Sequence, residues 1–211
     1  PSPASSFIYR NDTKNGKVEF TDVTRNIAPE LQGIGLVTSA IWSDADNDGK
    51  KELLLTTEWG PVLVFQQQAG IFKKVATPMD SQTGWWNSII ASDIDNDGDM
   101  DYIAGNFGMN GFIQPSKKQP VKLYVKDFDN NGSTDVVMSS FRKTSVSDSF
   151  FKEFPIAGRD EFIKEMNPMK ERFPNYSSYA KADMTQLFPN NLLDSARKFS
   201  AVNFRSSWIE N

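Results

Sequence analysis

Three acidic loops of one pattern constrain this chain more than any other feature. They read Asp44-Ala45-Asp46-Asn47-Asp48-Gly49-Lys50-Lys51-Glu52, Asp93-Ile94-Asp95-Asn96-Asp97-Gly98-Asp99-Met100-Asp101 and Asp127-Phe128-Asp129-Asn130-Asn131-Gly132-Ser133-Thr134-Asp135. Oxygen-bearing side chains recur at positions 1, 3, 5 and 9, with glycine at 6. Alternate side chains of so tight a loop can converge on one point. A hard cation takes about six to eight oxygens at about 2.3–2.6 Å, and calcium tolerates the irregular cage that such a loop offers. Position 7 adds a backbone carbonyl, from Lys50, Asp99 or Ser133, whatever its side chain. An EF-hand loop shares positions 1, 3, 5 and 6 but needs a bidentate glutamate at position 12. Leu55, Ala104 and Met138 stand there, and the flanks are strand-like. The loops therefore predict up to three calcium ions held between strands. Loop two, richest in carboxylates, is expected to bind most strongly, and loop three, with Asn131 at position 5, most weakly.

Clustered carboxylates repel one another unless a cation joins them, so the metal is expected to be mainly structural. Calcium sites of extracellular modules bind at roughly 10⁻⁴–10⁻³ M, too weakly for resting cytosol. The expected location is extracellular or at the cell surface, secreted, with the periplasm also open.

Apolar segments flank every loop. Ser39-Ala40-Ile41-Trp42-Ser43, Ser88-Ile89-Ile90-Ala91-Ser92 and Val121-Lys122-Leu123-Tyr124-Val125-Lys126 precede them, while Leu53-Leu54-Leu55, Tyr102-Ile103-Ala104 and Val136-Val137-Met138 follow. These are strand, loop, strand units. A period near fifty residues aligns Phe20 with Phe72, and the stretches Phe7–Asn11, Leu63–Gln67 and Ser207–Asn211 resemble one another at one phase of the repeat. Repeats of about forty to fifty residues built from short strands point to propeller blades. The expected fold is mainly β, a partial β-propeller of about three blade equivalents, completed by further blades or partner chains.

Residues 1–157 are expected to form these blades, and 201–211 to start a further blade strand. Between them, 158–200 breaks the period. Its apolar residues fall at three- and four-residue spacings, and Pro168, Pro174 and Pro189 cut it into short helices. The stretch reads as a helical insertion capping the strands.

Composition closes off several chemistries. The chain has no cysteine and no histidine, which removes disulfides, thiolate and imidazole metal sites, and nucleophilic triads. The loops hold 12 of its 27 Asp and Glu, so the formal charge of −4 reports metal ligands rather than an acidic surface. The 23 Lys and Arg form no stripe, and nucleic acid is not an expected partner. No apolar run is long enough for a membrane span. The opening Pro1-Ser2-Pro3-Ala4-Ser5-Ser6 is unlike a signal peptide, but a trimmed chain would lack one anyway.

The motif from Trp42 to Gly49 and the run from Gly84-Trp85-Trp86-Asn87 through Asp93 to Gly98 resemble the FG-GAP or VCBS repeat propellers, a class that includes integrin α-subunit heads. They look most like bacterial relatives of cartilage acidic protein, in which such repeats often precede an ASPIC/UnbV domain. The helical stretch from Arg159 to Ala180 is similar to those proteins too. Gly33-Ile34-Gly35 is what this chain keeps of the FG-GAP motif proper. The resemblance implies calcium loops on one face of the propeller and ligand contacts on the other. Trp85, Trp86 and Asn87 then become candidate contacts for a protein or glycan ligand, the indoles stacking on it. The expected function is a non-catalytic module for binding or scaffolding outside the cell. The alternative is a glycan-active enzyme working through a carboxylate pair, with Asp80, Asp160, Glu161 and Glu165 available.

Overall fold

Short β-propensive runs separated by turn residues send much of this chain into antiparallel strands. The computed structural model describes residues 4–145 and 149–211. It begins with β1 (Tyr9–Asn11), β2 (Phe20–Asp22) and a single helical turn, α1 (Thr24–Ile27). The strands β3 (Leu36–Ser43), β4 (Glu52–Gly60), β5 (Leu63–Gln68), β6 (Ile71–Val75), β7 (Gly84–Trp85), β8 (Ser88–Ser92) and β9 (Asp101–Gly105) follow. Next come β10 (Val121–Lys126), β11 (Asp135–Arg142) and β12 (Lys152–Pro155). The helical stretch holds α2 (Arg159–Glu165), α3 (Met169–Arg172), α4 (Tyr176–Lys181), α5 (Met184–Leu187) and α6 (Asn190–Asp194), and the chain closes with β13 (Arg197–Ala201) and β14 (Ser207–Ile209).

The strands group into two units. The first runs to Asn110 and resumes at Phe204; the second is Gly111–Asn203. In the first, β3, β4, β5 and β6 form a sheet in that order, with β7 also pairing with β4. Leu53, Leu54 and Leu55 are all buried, as a continuous apolar run requires of a strand covered on both faces. Leu53, Leu55 and Phe65 pack with Ala28, Leu31 and Phe72. Leu54 points the other way, into a core shared with Trp86, Ile89, Tyr102 and Ala104. Those last three residues belong to a second sheet, of order β14-β9-β8.

The second unit is a sheet of order β12-β11-β10-β13. Tyr124, Phe128 and Val137 on one side of it pack with Phe162, Met166, Phe173, Tyr179, Leu187 and Phe188 from the helical stretch. The prolines act as expected: α3 and α6 start directly after Pro168 and Pro189, and α4 starts after Pro174 with Asn175 as its cap.

The fold is mainly β, and two boundaries differ from the expected ones. The third loop does not continue the first two as a tandem repeat, because its hairpin shares a core with the helices. Residues 197–201, expected at the end of the helical insertion, form a strand against β10. The closing segment, expected to start a further blade, returns instead to the second sheet, where Trp208 pairs with Ile103 and Ile209 with Tyr102. The second unit is thus inserted between two neighbouring strands of one sheet. This accounts for the shared phase of Leu63–Gln67 and Ser207–Asn211, since β5 and β14 each lie beside the strand that follows a loop.

Candidate metal centres

Each loop joins the ends of two paired strands, so the residue just before it and its ninth residue stand side by side: Ser43 pairs with Glu52, Ser92 with Asp101, and Lys126 with Asp135. Within that frame one hydrogen-bond scaffold appears three times. The position 1 carboxylate accepts from the glycine N–H at position 6: Asp44 from Gly49 at 2.9 Å, Asp93 from Gly98 at 3.2 Å, and Asp127 from Gly132 at 2.9 Å. The position 3 carboxylate accepts from the N–H of position 5, as in Asp46 from Asp48 at 3.2 Å, Asp95 from Asp97 at 3.3 Å and Asp129 from Asn131 at 3.2 Å. The position 5 oxygen accepts from position 7, where Lys50, Asp99 and Ser133 donate their N–H groups at 2.8, 3.1 and 2.7 Å.

The ninth residue is the buried one. Glu52, Asp101 and Asp135 are 3%, 1% and 6% exposed. Each accepts the N–H of position 2: Ala45 at 2.8 Å, Ile94 at 3.2 Å and Phe128 at 2.7 Å. Burial pushes the carboxyl groups of Glu52 and Asp135 up from their ordinary values, and the neighbouring loop carboxylates push the same way. A cation among these carboxylates would reverse that repulsion.

In each loop three carboxylates lie close together, from positions 1, 3 and 5 in loops one and two and from positions 1, 3 and 9 in loop three. One oxygen each from Asp44, Asp46 and Asp48 lie within 4.8 Å of one another, as do those of Asp93, Asp95 and Asp97, and of Asp127, Asp129 and Asp135. All donors are oxygens, the set that hard cations prefer. In loop two, Asp93 Oδ1 is buried without a hydrogen-bond partner, an orphaned acceptor of the kind a cation would satisfy. The loops differ in charge at position 7. The Lys50 ammonium lies 2.7 Å from Asp48 in loop one, whereas loop two places Asp99 there. Asp99 titrates above its ordinary value through desolvation and then through Asp97 beside it.

One feature of the scaffold lay outside the ligand pattern. Asn47, Asn96 and Asn130, at position 4 of each loop, adopt left-handed backbone with φ of 58°, 62° and 58°. Asparagine tolerates this conformation better than most residues, and its recurrence at one position in all three loops was the available signal.

The ligand surface expected at Trp85-Trp86-Asn87 is only partly available. Trp86 is 0% exposed and donates its indole N–H to the Gln82 carbonyl at 2.9 Å, so it belongs to the core between the two sheets and presents no face to a ligand. Trp85 is half-buried in an aromatic cluster with Trp59, Phe107 and Phe204 at ring separations of 4.7–5.1 Å. Asn87 is exposed, with its N–H bonded to the Gly105 carbonyl. The exposed aromatic of that cluster is Phe107.

The carboxylates considered for catalysis are otherwise engaged or solvated. Asp80 pairs with Lys74 at 2.8 Å and caps a short 3₁₀ turn. Asp160 accepts from the Tyr176 hydroxyl and pairs with Arg159, while Glu161 and Glu165 lie exposed on α2. Among the described residues no helix is long and apolar enough to cross a membrane.

No curated protein and no solved structure matches the chain convincingly. The family model for the FG-GAP-like repeat does match, over residues 44–104, from the first aspartate of loop one through loop two and into its following strand. That segment of the chain is similar to an FG-GAP-like repeat.

Proposed function

We propose that the chain is a calcium-stabilised, β-propeller-type module that binds or scaffolds a protein or glycan outside the cell and catalyses no reaction. The observation that carries this reading is the threefold recurrence of one loop scaffold, each copy drawing three carboxylates together at the end of a strand pair. Such an arrangement costs repulsion in the bare protein and gains stability from a divalent cation that binds only the folded form. In this reading Asp44, Asp46, Asp48 and Glu52, with their counterparts in loops two and three, hold calcium and fix the strand ends. The side-by-side packing of the two sheets in the first unit supports a propeller-like arrangement of blades. The FG-GAP-like repeat supports an extracellular setting, and the finer likeness to bacterial relatives of cartilage acidic protein belongs to the same proposal.

Titration calorimetry with calcium and with magnesium tests the reading. Calcium is expected to bind more tightly, because magnesium demands a compact octahedron and gives up its waters reluctantly. Tighter magnesium binding, or no calcium binding at all, sinks it. Calcium-dependent depolymerisation of a polysaccharide panel would overturn the non-catalytic part alone.

A further inference from the structure

The helical stretch of the second unit holds a cleft that the acidic loops do not use. It has a volume of about 720 Å³ and is lined by Arg159, Asn167, Pro168, Lys170, Glu171 and Pro174. Small-molecule sites typically occupy about 300–1,000 Å³. Every lining residue belongs to the second unit. The walls are anchored in that unit's core, because Met166 and Phe173, chain neighbours of Asn167 and Pro174, are buried with Phe162 and Tyr179.

Arg159 is held in place on three sides. Its Nε donates to the Phe173 carbonyl at 2.7 Å, Nη1 donates to Asp160 at 3.2 Å, and the guanidinium lies 5.5 Å from the centre of the Tyr176 ring. The side chain is 11% exposed, and Nη2 has no hydrogen-bond partner among the described residues. A planar fork fixed in this way, with donors to spare, suits a carboxylate, because little freedom is left to lose on binding. Lys170 and Glu171 line the same cleft, are exposed, and make no ion pair or side-chain hydrogen bond among the described residues. Glu171 offsets part of the positive charge, so a bare anion gains little here. The lining instead matches a ligand that carries a carboxylate and hydroxyl groups together. Arg159 and Lys170 offer donors to the carboxylate, Glu171 accepts from a hydroxyl, and the Asn167 amide can do either. Pro168 and Pro174 add C–H surface with no backbone donor to satisfy.

We propose that this cleft binds an acidic sugar, a uronate residue of a glycan, with its carboxylate on the Arg159 guanidinium and its hydroxyls on Glu171 and Asn167. The assignment deepens the reading of the chain as a binding module and rests on that reading only for taking a glycan as the source of the carboxylate. It needs neither the acidic loops nor the Trp85 cluster.

Backbone amide chemical shifts of the full chain, titrated with digalacturonate in excess calcium, test this. The shifts are expected to concentrate between residues 159 and 174. The neutral digalactoside of the same linkage should bind about tenfold more weakly or worse, since it lacks the charged acceptor. Arg159→Lys keeps the charge but loses the fork, and should cost a similar factor. Because Arg159 also holds the Phe173 carbonyl, Lys170→Glu serves as a second variant: the side chain is exposed and unpaired, so the fold should stand while binding weakens about tenfold. Absence of shifts at the cleft overturns the proposal, as does equal binding of the neutral sugar or full binding by Lys170→Glu. Displacement by equimolar inorganic sulfate overturns it too, by showing a site for bare anions. A sugar bridged by calcium at the acidic loops is told apart with Asp95→Ala: binding lost in that variant and kept in Lys170→Glu sinks the cleft. Cleft binding in a sample whose calcium isotherm is flat supports the cleft and refutes the metal reading, whereas calcium binding without sugar binding refutes the cleft and leaves the metal reading standing.

Discussion

Asn47, Asn96 and Asn130 show how a single residue can shape an acidic loop without adding a carboxylate to it. Left-handed backbone costs an ordinary L-residue roughly 1–2 kcal/mol, less for asparagine and nothing for glycine. Asn96→Ala is therefore expected to destabilise the protein by about 1 kcal/mol, and Asn96→Gly to be close to neutral, in urea melts at saturating calcium. Equal losses in both would mean that the side chain, not the backbone angle, is what the position requires. The ligands allow a second comparison. Asp95→Ala should lower the calcium-saturated melting temperature more than Asp129→Ala, because loop two carries the most carboxylates and no lysine beside them, and the reverse order would discredit ranking by ligand charge. The carboxylate clusters were legible in the sequence because their members lie within nine consecutive residues, where spacing largely decides convergence. Trp85 and Trp86 were not separable in that way. Alternation along an extended segment points neighbours to opposite sides, but which side is core depends on Leu54, Tyr102 and Ala104, distant in sequence from both.

At the scale of elements, the helices of the second unit are too short to be stable by propensity, and caps and packing must hold them. Asp183 caps α5, accepting the N–H groups of Thr185 and Gln186 at 3.1 Å each. Burial acts against its charge, but the Thr185 hydroxyl, these N–H groups and Lys152 outweigh it and keep its pKa below the ordinary value. Asp183→Ala should cost about 1 kcal/mol in urea unfolding. Tyr179 packs on Phe162 and Phe173 and donates to the Ala157 carbonyl at 2.9 Å. Burial, with Glu161 adding to it, pushes its phenol up to about 12. The folded state thus favours the neutral phenol: this contribution is complete below about pH 10, where the unfolded phenol titrates, and is lost as pH rises toward the folded value. Tyr124 shifts in the same direction. Tyr179→Phe should therefore flatten part of the stability loss between about pH 10 and 12, read from urea melts across that range. An unchanged slope would show that the phenol ionises equally in both states. The bounds of β8 were readable as an apolar run before an acidic loop and those of β10 from local alternation, and both match the expected segments. The return of β14 to β9 was not, because strand pairing across about a hundred residues leaves no local pattern.

At the scale of the whole molecule, the insertion of the second unit within a sheet of the first makes a sharp demand. The strands on either side of it must meet without it. The Gly108 N–H donates to the Phe204 carbonyl at 2.7 Å, and the Asn106 N–H to the Ser206 hydroxyl at 3.0 Å, so the two chain segments already lie together where the insertion leaves and returns. Replacing residues 111–203 with a short glycine-serine linker should preserve the β14-β9-β8 sheet, since insertions are tolerated where the flanking backbone is bonded independently of them. The shortened protein is expected to unfold in one cooperative transition and to keep two calcium sites, those of loops one and two. A site held at about one hundred times its dissociation constant adds about 2.7 kcal/mol to the folded state. Chelator should therefore lower the melting temperature of both the full-length and the shortened protein by several degrees. If the shortened chain is unfolded in saturating calcium, the inserted unit supports the first one and the sheet is not self-sufficient. If it folds but its melt ignores chelator, the loops are shaped like metal sites without using the metal for stability, and the structural role of calcium falls.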